Sequence, residues 1–164
     1  MGIGNPGRRD DGLGPAFVER IEALRLPGVN CKANYQLNLE DAQACSVHDV
    51  VVFADAAETL DGPFALTPLE PSPRFTMSTH SLPPEGVLAV CEAVYGIRPR
   101  ACLLAIQGHR WEIGEGLSPK ARINLGAAVE ALLDFIQGFR EGESPGKGPA
   151  RTKEKPCRKK KSSS

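Results

Sequence analysis

No apolar run in the 164 residues approaches the roughly 18 that a membrane helix requires, and no basic start leads into an apolar segment. Neither insertion nor secretion is therefore signalled. Cysteine is sparse: Cys31, Cys45, Cys91, Cys102 and Cys157 are odd in number, scattered, and form no C-x-x-C pair. That excludes a disulfide scaffold and suits reduced thiols in a cytoplasmic compartment. There is no internal repeat, and net charge is absent, with 20 basic and 20 acidic residues. What is present is an ordinary soluble composition, 41% hydrophobic and 24% charged, enough for one domain with its own core.

The balanced charge is unevenly spread. From Arg140 to Ser164 nine basic residues face three acidic ones, a net of +6, so residues 1–139 carry −6. The basic end is rich in Gly, Pro and Ser and has almost nothing apolar to offset the entropy of ordering. The expectation is a folded domain over 1–139 and a disordered basic tail over 140–164. Arg158 to Lys161 reads as a solubilising run, and no nucleic-acid partner is expected.

Within the domain two periodicities alternate. Pro15 to Leu26 places Phe17, Ile21 and Leu24 on one helical stripe, and Val29 to Leu37 reads as a strand before a short helix over Leu39 to Cys45. Val50 to Ala54 is a continuous, β-branched apolar run, suited to a strand buried on both faces of a parallel sheet and ended by Asp55. Phe64 to Leu69 is a weaker strand. Val87 to Tyr95 is a helix entered through Pro83-Pro84 and stopped at Gly96, and Ala101 to Ile106 repeats the buried-strand pattern. The final helix has Ser118 as N-cap and Pro119 in its first turn, with Ile123, Ala127, Ala131, Phe135 and Phe139 at four-residue steps. This order predicts an α/β fold: three layers, with a mostly parallel sheet between helices. An opening strand before the first glycine turn is expected in such a fold, and the sequence reads as lacking it.

Three stretches could carry chemistry. Gly2-Ile3-Gly4-Asn5-Pro6-Gly7 matches G-x-G-x-x-G, but Pro6 removes a donor and Asp10 and Asp11 would repel a pyrophosphate, so it reads as a tight strand-to-helix turn. Asp11 opens the first helix, Asp55 closes the best strand, and His80 stands just before the helix at Pro83. In an open parallel sheet the carboxyl ends of strands and the following helix starts share one edge, where ligands bind. Two carboxylates and an imidazole suit a borderline divalent ion, although each has a plainer reading as a cap or a satisfied polar group. The third stretch, Gln107 to Pro119, follows a buried strand and holds the only tryptophan, Trp111, with His109 and Arg110. It is either a substrate-contacting loop or an ordinary connection.

Four segments in order carry a resemblance. Gly4-Asn5-Pro6 through Asp10-Asp11-Gly12-Leu13-Gly14-Pro15, Val50 to Ala56, Ser78-Thr79-His80-Ser81-Leu82 and Gly116-Leu117-Ser118-Pro119 resemble the signatures of the hydrogenase maturation endopeptidases. These trim the C-terminus of the nickel–iron hydrogenase large subunit. The similarity spans about Gly2 to Phe139. It implies a twisted, mostly parallel (mixed) sheet between helices of the phosphorylase/hydrolase-like kind, metal contact by Asp11, Asp55 and His80, and a catalytic role for Asp11 or Asp55. Many members carry glutamate at the first position, so Asp11 has a shorter reach. The metal implied is nickel carried by the precursor, with no organic cofactor, and the partner is the large-subunit precursor. Asn5, Asp10, His109, Arg110 and Trp111 are expected to touch substrate. Two other readings stand beside this one: a non-catalytic chaperone that binds the precursor, and a hydrolase like the peptidyl-tRNA hydrolases, whose expected His-Asn pair after the turn is Asp10-Asp11 here. The family's first strand normally precedes Gly2, so the chain is expected to be marginally stable.

Overall fold

In a computed structural model, which describes residues 1–72 and 82–142, the chain runs β1 (Gly2–Ile3), a 3-10 turn (Arg9–Gly12), α1 (Leu13–Ala23), β2 (Ala33–Asn34), α2 (Asp41–Ser46), β3 (Val50–Ala57), β4 (Phe64–Leu69), α3 (Pro84–Tyr95), β5 (Arg100–Gln107) and α4 (Pro119–Arg140). The sheet order is β2-β1-β3-β5-β4, parallel except for β4, which runs antiparallel to β5. The segments at 73–81 and 143–164, and with them His80 and most of the basic tail, lie outside the described residues.

Each face of the sheet is covered by two helices. Strand parity divides the core: Ala54 and the half-buried Val52 and Ala56 pack with Leu13, Phe17 and Ile21 of α1 and with Leu125 and Leu132 of α4. Val51 and Phe53 face the other way, onto Ala42 and Cys45 of α2 and Val87, Leu88 and Cys91 of α3. Burial of both faces explains why β3 and β5 read as unbroken apolar runs. The three-layer, mostly parallel expectation holds.

Several local expectations need correction. The opening strand is present, as the two-residue β1 between β2 and β3. The segment expected as a strand over Val29 to Leu37 pairs only at Ala33–Asn34, because its partner β1 is equally short. Leu24 is 46% exposed at the end of α1. In α4 the fully buried stripe is Ala121, Leu125, Ala128 and Leu132, alternating steps of four and three. A stripe of strict four-residue steps drifts around a 3.6-residue helix, which leaves Ile123 73% and Phe139 37% exposed at its two ends.

Helix α1 sits against the sheet at backbone distance. A β-carbon on Gly14 would lie 2.2 Å from the Ile3 carbonyl oxygen and 2.5 Å from that of Ala54. The glycines of the opening motif therefore serve strand-to-helix packing and a tight turn. Arg8 N–H donates to the Asn5 carbonyl (3.0 Å), and Gly7 N–H donates to Asn5 Oδ1 (2.8 Å).

Candidate functional site

Asp55 occupies the parity of Val51 and Phe53, two residues beyond the last apolar side chain on the α2/α3 face. It lies within β3 rather than after it, because pairing with β5 continues to Ala57 opposite Gln107. Its register partner is the small Ala105, and its Oδ1 accepts from the Ala56 N–H at 2.8 Å. Burial pushes the Asp55 carboxyl up to about 6. The Ala56 hydrogen bond opposes that rise, and the negative charge of Asp11 adds to it. Asp11, 44 positions away in the chain, is thus brought near Asp55 at the carboxyl edge of the sheet, and its charge adds to the cost of ionising Asp55.

Asp11 reaches that edge from the 3-10 turn between β1 and α1, half-buried, with the Asn5 N–H donating to its Oδ2 at 3.2 Å. Among the described residues no group of three or more metal-ligating side chains gathers. His80, the third expected ligand, is outside them. The donors present, two acidic oxygens at an accessible edge, are chemically suited to a borderline divalent ion and would need a further ligand to hold one.

Asp10 behaves in the opposite way to its neighbour. It is fully buried, and its oxygens accept from the N–H groups of His109 (2.8 Å), Arg110 (3.0 Å) and Ser118 (2.7 Å) and from the Ser118 hydroxyl (2.7 Å). Burial pushes its carboxyl up, but the Ser118, His109 and Arg110 hydrogen bonds outweigh that and hold it below the usual carboxylate range. The expected substrate contact at Asp10 is thereby corrected: its acceptor sites are spent on the chain, and its role is to anchor the loop after β5. Ser118 does double duty, since its hydroxyl also accepts from the Ala121 N–H (3.3 Å) as the N-cap of α4.

Asp10 is joined by further ties between the same two segments. The Arg9 N–H donates to the Gly114 carbonyl (2.8 Å), the Asp10 N–H to the Arg110 carbonyl (3.0 Å), and the Gly114 N–H to the Gly7 carbonyl (2.8 Å). The loop at 108–118 is thus laid against the turn that carries Asp11. Of the expected substrate contacts, His109 and Arg110 are exposed there, Trp111 is half-buried, and Asn5 is half-buried with its side-chain oxygen engaged by Gly7. On the α4 side of the same edge lies a cleft of about 530 Å3 walled by Leu60, Gln107, His109, Lys120, Ile123 and Asn124. Asn124 Nδ2 donates to the Gln107 carbonyl (2.8 Å), which orients its amide and places the same nitrogen 3.1 Å from His109 Nε2. The sequence reading had not singled out Asn124, Arg8 or Arg9. Asn124 falls on α4 nearly two turns past its cap Ser118, and no local pattern marks it.

Neither the scan of protein-family models nor the search of curated proteins finds a match to this chain. Solved structures do match. The hydrogenase maturating endopeptidase HybD from E. coli is 22% identical, over 86% of this chain and 91% of its own, with a TM-score of 0.66. The [NiFe] hydrogenase maturation protease HycI from Thermococcus kodakarensis is 24% identical, over 83% and 89%, with a TM-score of 0.64. A hydrogenase 2 maturation peptidase from a Thaumarchaeota archaeon is 23% identical, over 83% and 95%, with a TM-score of 0.61. The chain shares the fold of these peptidases across nearly their whole length.

Proposed function

We propose that the chain is a hydrogenase maturation endopeptidase that removes a C-terminal peptide from the nickel-loaded large-subunit precursor of a nickel–iron hydrogenase. The observation that carries this reading is the meeting of Asp11 and Asp55 at the carboxyl edge of a sheet whose fold is that of solved maturation peptidases. On this reading nickel arrives with the substrate, and Asp11, Asp55 and His80 contact it. The protein acts in the cytoplasm, where it activates the hydrogenase by letting its metal site close.

The two carboxylates suit that task for different reasons. Asp55, with its carboxyl pushed up to about 6, is poised to exchange a proton near neutral pH, which is what a general base requires. A cation arriving between the two would relieve their repulsion, so the site gains most from a substrate that brings its own positive charge. A substrate-borne ion near the scissile bond polarises the carbonyl or acidifies a water. Asp10 keeps the loop with His109, Arg110 and Trp111 in place beside the pair. The enzyme is of aspartic type in the sense that its working groups are carboxylates.

Incubating the protein with nickel-loaded and nickel-free precursor tests the reading; cleavage of the loaded form alone is expected. Equal processing of both would remove metal recognition. His80→Ala, with cleavage and precursor binding measured separately, divides a peptidase from a binding-only chaperone: loss of cleavage with binding retained is expected.

A further inference from the structure

The cleft on the α4 side of the carboxyl edge is built by the fold itself. Gln107, 9% exposed at the end of β5, clamps the connection at 58–63. Its Oε1 accepts from the Leu60 N–H, its Nε2 donates to the Glu58 carbonyl (2.7 Å), and its backbone N–H donates to the Pro63 carbonyl (3.0 Å). The opposite wall is the start of α4. The buried stripe of that helix does not include Ile123, which stands on the cleft, 73% exposed, across from the half-buried Leu60. The volume, about 530 Å3, falls within the range of roughly 300–1,000 Å3 usual for ligand sites.

Between these apolar walls two polar side chains are fixed in orientation. Asn124 Nδ2 gives one hydrogen to the Gln107 carbonyl (2.8 Å) and turns the other to His109 Nε2 (3.1 Å). That ring nitrogen therefore accepts, and the ring proton sits on Nδ1. Among the described residues nothing meets His109 Nδ1 or Asn124 Oδ1. A donor and an acceptor on two joined residues match the carbonyl oxygen and the N–H of a peptide group. Charge gives the cleft no preference of sign. Glu58 and Lys120 line it, Asp61 and Arg122 follow on the same two segments, and Arg110 is paired with Glu112.

We propose that this cleft is the subsite for an uncharged, apolar side chain of the polypeptide substrate, with an adjoining peptide group held by His109 Nδ1 and Asn124 Oδ1. The inference rests on the reading that a precursor polypeptide is cut at this edge. Gln107 pairs with Ala57, two residues or about 7 Å beyond Asp55 along β3, and the His109 N–H is bound to Asp10, the neighbour of Asp11. Asp55 has the parity of the α2/α3 face and the cleft lies on the α4 side, so the segment crosses the strand ends. That crossing is on the order of 10 Å, which about three extended residues span. The chain's own residues 143–164 hold no Leu, Ile, Val, Met or aromatic side chain to fill the cleft. A nucleic acid would find no net positive charge there.

The test titrates the full chain with N-acetyl-leucine N-methylamide, an apolar side chain between two peptide groups, and follows the protein's amide signals by NMR. Shifts should gather at Leu60, Ile123 and the Asn124 side-chain amide. The glutamate analogue should bind about tenfold more weakly, because its charge would enter an apolar cleft. Ile123→Ser, at a position too exposed to carry the fold, should weaken binding of the leucine analogue about threefold, and Asn124→Ala about fivefold. With nickel-loaded precursor, Ile123→Ser should raise KM about threefold at unchanged kcat. Shifts that are absent or fall elsewhere, equal affinity for the two analogues, or unchanged affinity in either variant overturn the proposal. So do Leu60 and Ile123 signals that move when the protein alone is diluted, the mark of a contact between copies. Precursor cut by Ile123→Ser with unchanged KM removes the subsite and leaves the peptidase reading. Precursor left uncut by a protein that still takes the leucine analogue in the cleft removes the peptidase reading and leaves a peptide-binding cleft.

Discussion

Replacing Asp55 by asparagine removes a charge that the fold holds partly out of water while preserving its shape. The asparagine oxygen still accepts from the Ala56 N–H that Asp55 Oδ1 engages at 2.8 Å. Burial, reinforced by Asp11, raises the Asp55 carboxyl from 3.8 to about 6. Two pKa units correspond to about 3 kcal/mol. Asp55 is only half-buried, so screening by water reduces the expected effect to about 1–2 kcal/mol. The sign follows from proton binding. Between pH 4 and 6 the native state holds a proton that the unfolded state has released, so stability falls as pH rises through that interval. Above pH 6 the native state carries the full penalty of the buried charge. Asp55→Asn should therefore be more stable than the parent at pH 7.5, by about 3–6 °C in Tm, and no more stable near pH 4. Thermal melts of both proteins at pH 4, 5, 6 and 7.5, with chelator present, measure this directly. A variant that is less stable at pH 7.5, or whose advantage does not change with pH, would refute the argument that Asp55 is held against its electrostatic preference. A gain in stability joined to a loss of precursor cleavage is the pattern expected of a group kept for chemistry.

Asp10→Asn should behave oppositely, losing about 2–4 kcal/mol, because an amide nitrogen would replace one of the two acceptor oxygens and face either the Ser118 N–H or those of His109 and Arg110; a loss below about 0.5 kcal/mol in urea denaturation contradicts the anchoring role. Gly14→Ala should cost about 3 kcal/mol or more, since the added carbon meets the carbonyl oxygens of Ile3 and Ala54 rather than a movable side chain; soluble protein with an unchanged Tm would refute that.

The strands that form the centre of the sheet were legible because burial on both faces leaves an unbroken apolar signature, seen at Val50 to Phe53 and again at Ala101 to Ile106. The last helix was legible from Ser118 and Pro119, whose capping chemistry is local. From those elements the sheet edge followed, and with it the candidacy of Asp11 and Asp55. The buried face of α4 was not legible from four-residue steps, because a four-residue step is only nearly the period of a helix. Which of its faces meets the sheet is settled by α1 and β5 packed against it.

Asp10 and Asp11 mark the boundary between the two kinds of information. Side by side in the chain they are the same residue with the same local prospects, and either could have been the cap, the anchor or the working acid. Local chemistry alone determined the order of strands and helices, the tight glycine turn and the presence of acids at one edge, because apolar periodicity and backbone freedom act over a few residues. The assignment of one aspartate to four buried hydrogen bonds and the other to Asp55's electrostatic field was decided only in three dimensions. It required a loop about a hundred residues later to return and offer its N–H groups, and no pattern within a few residues of Asp10 encodes that return.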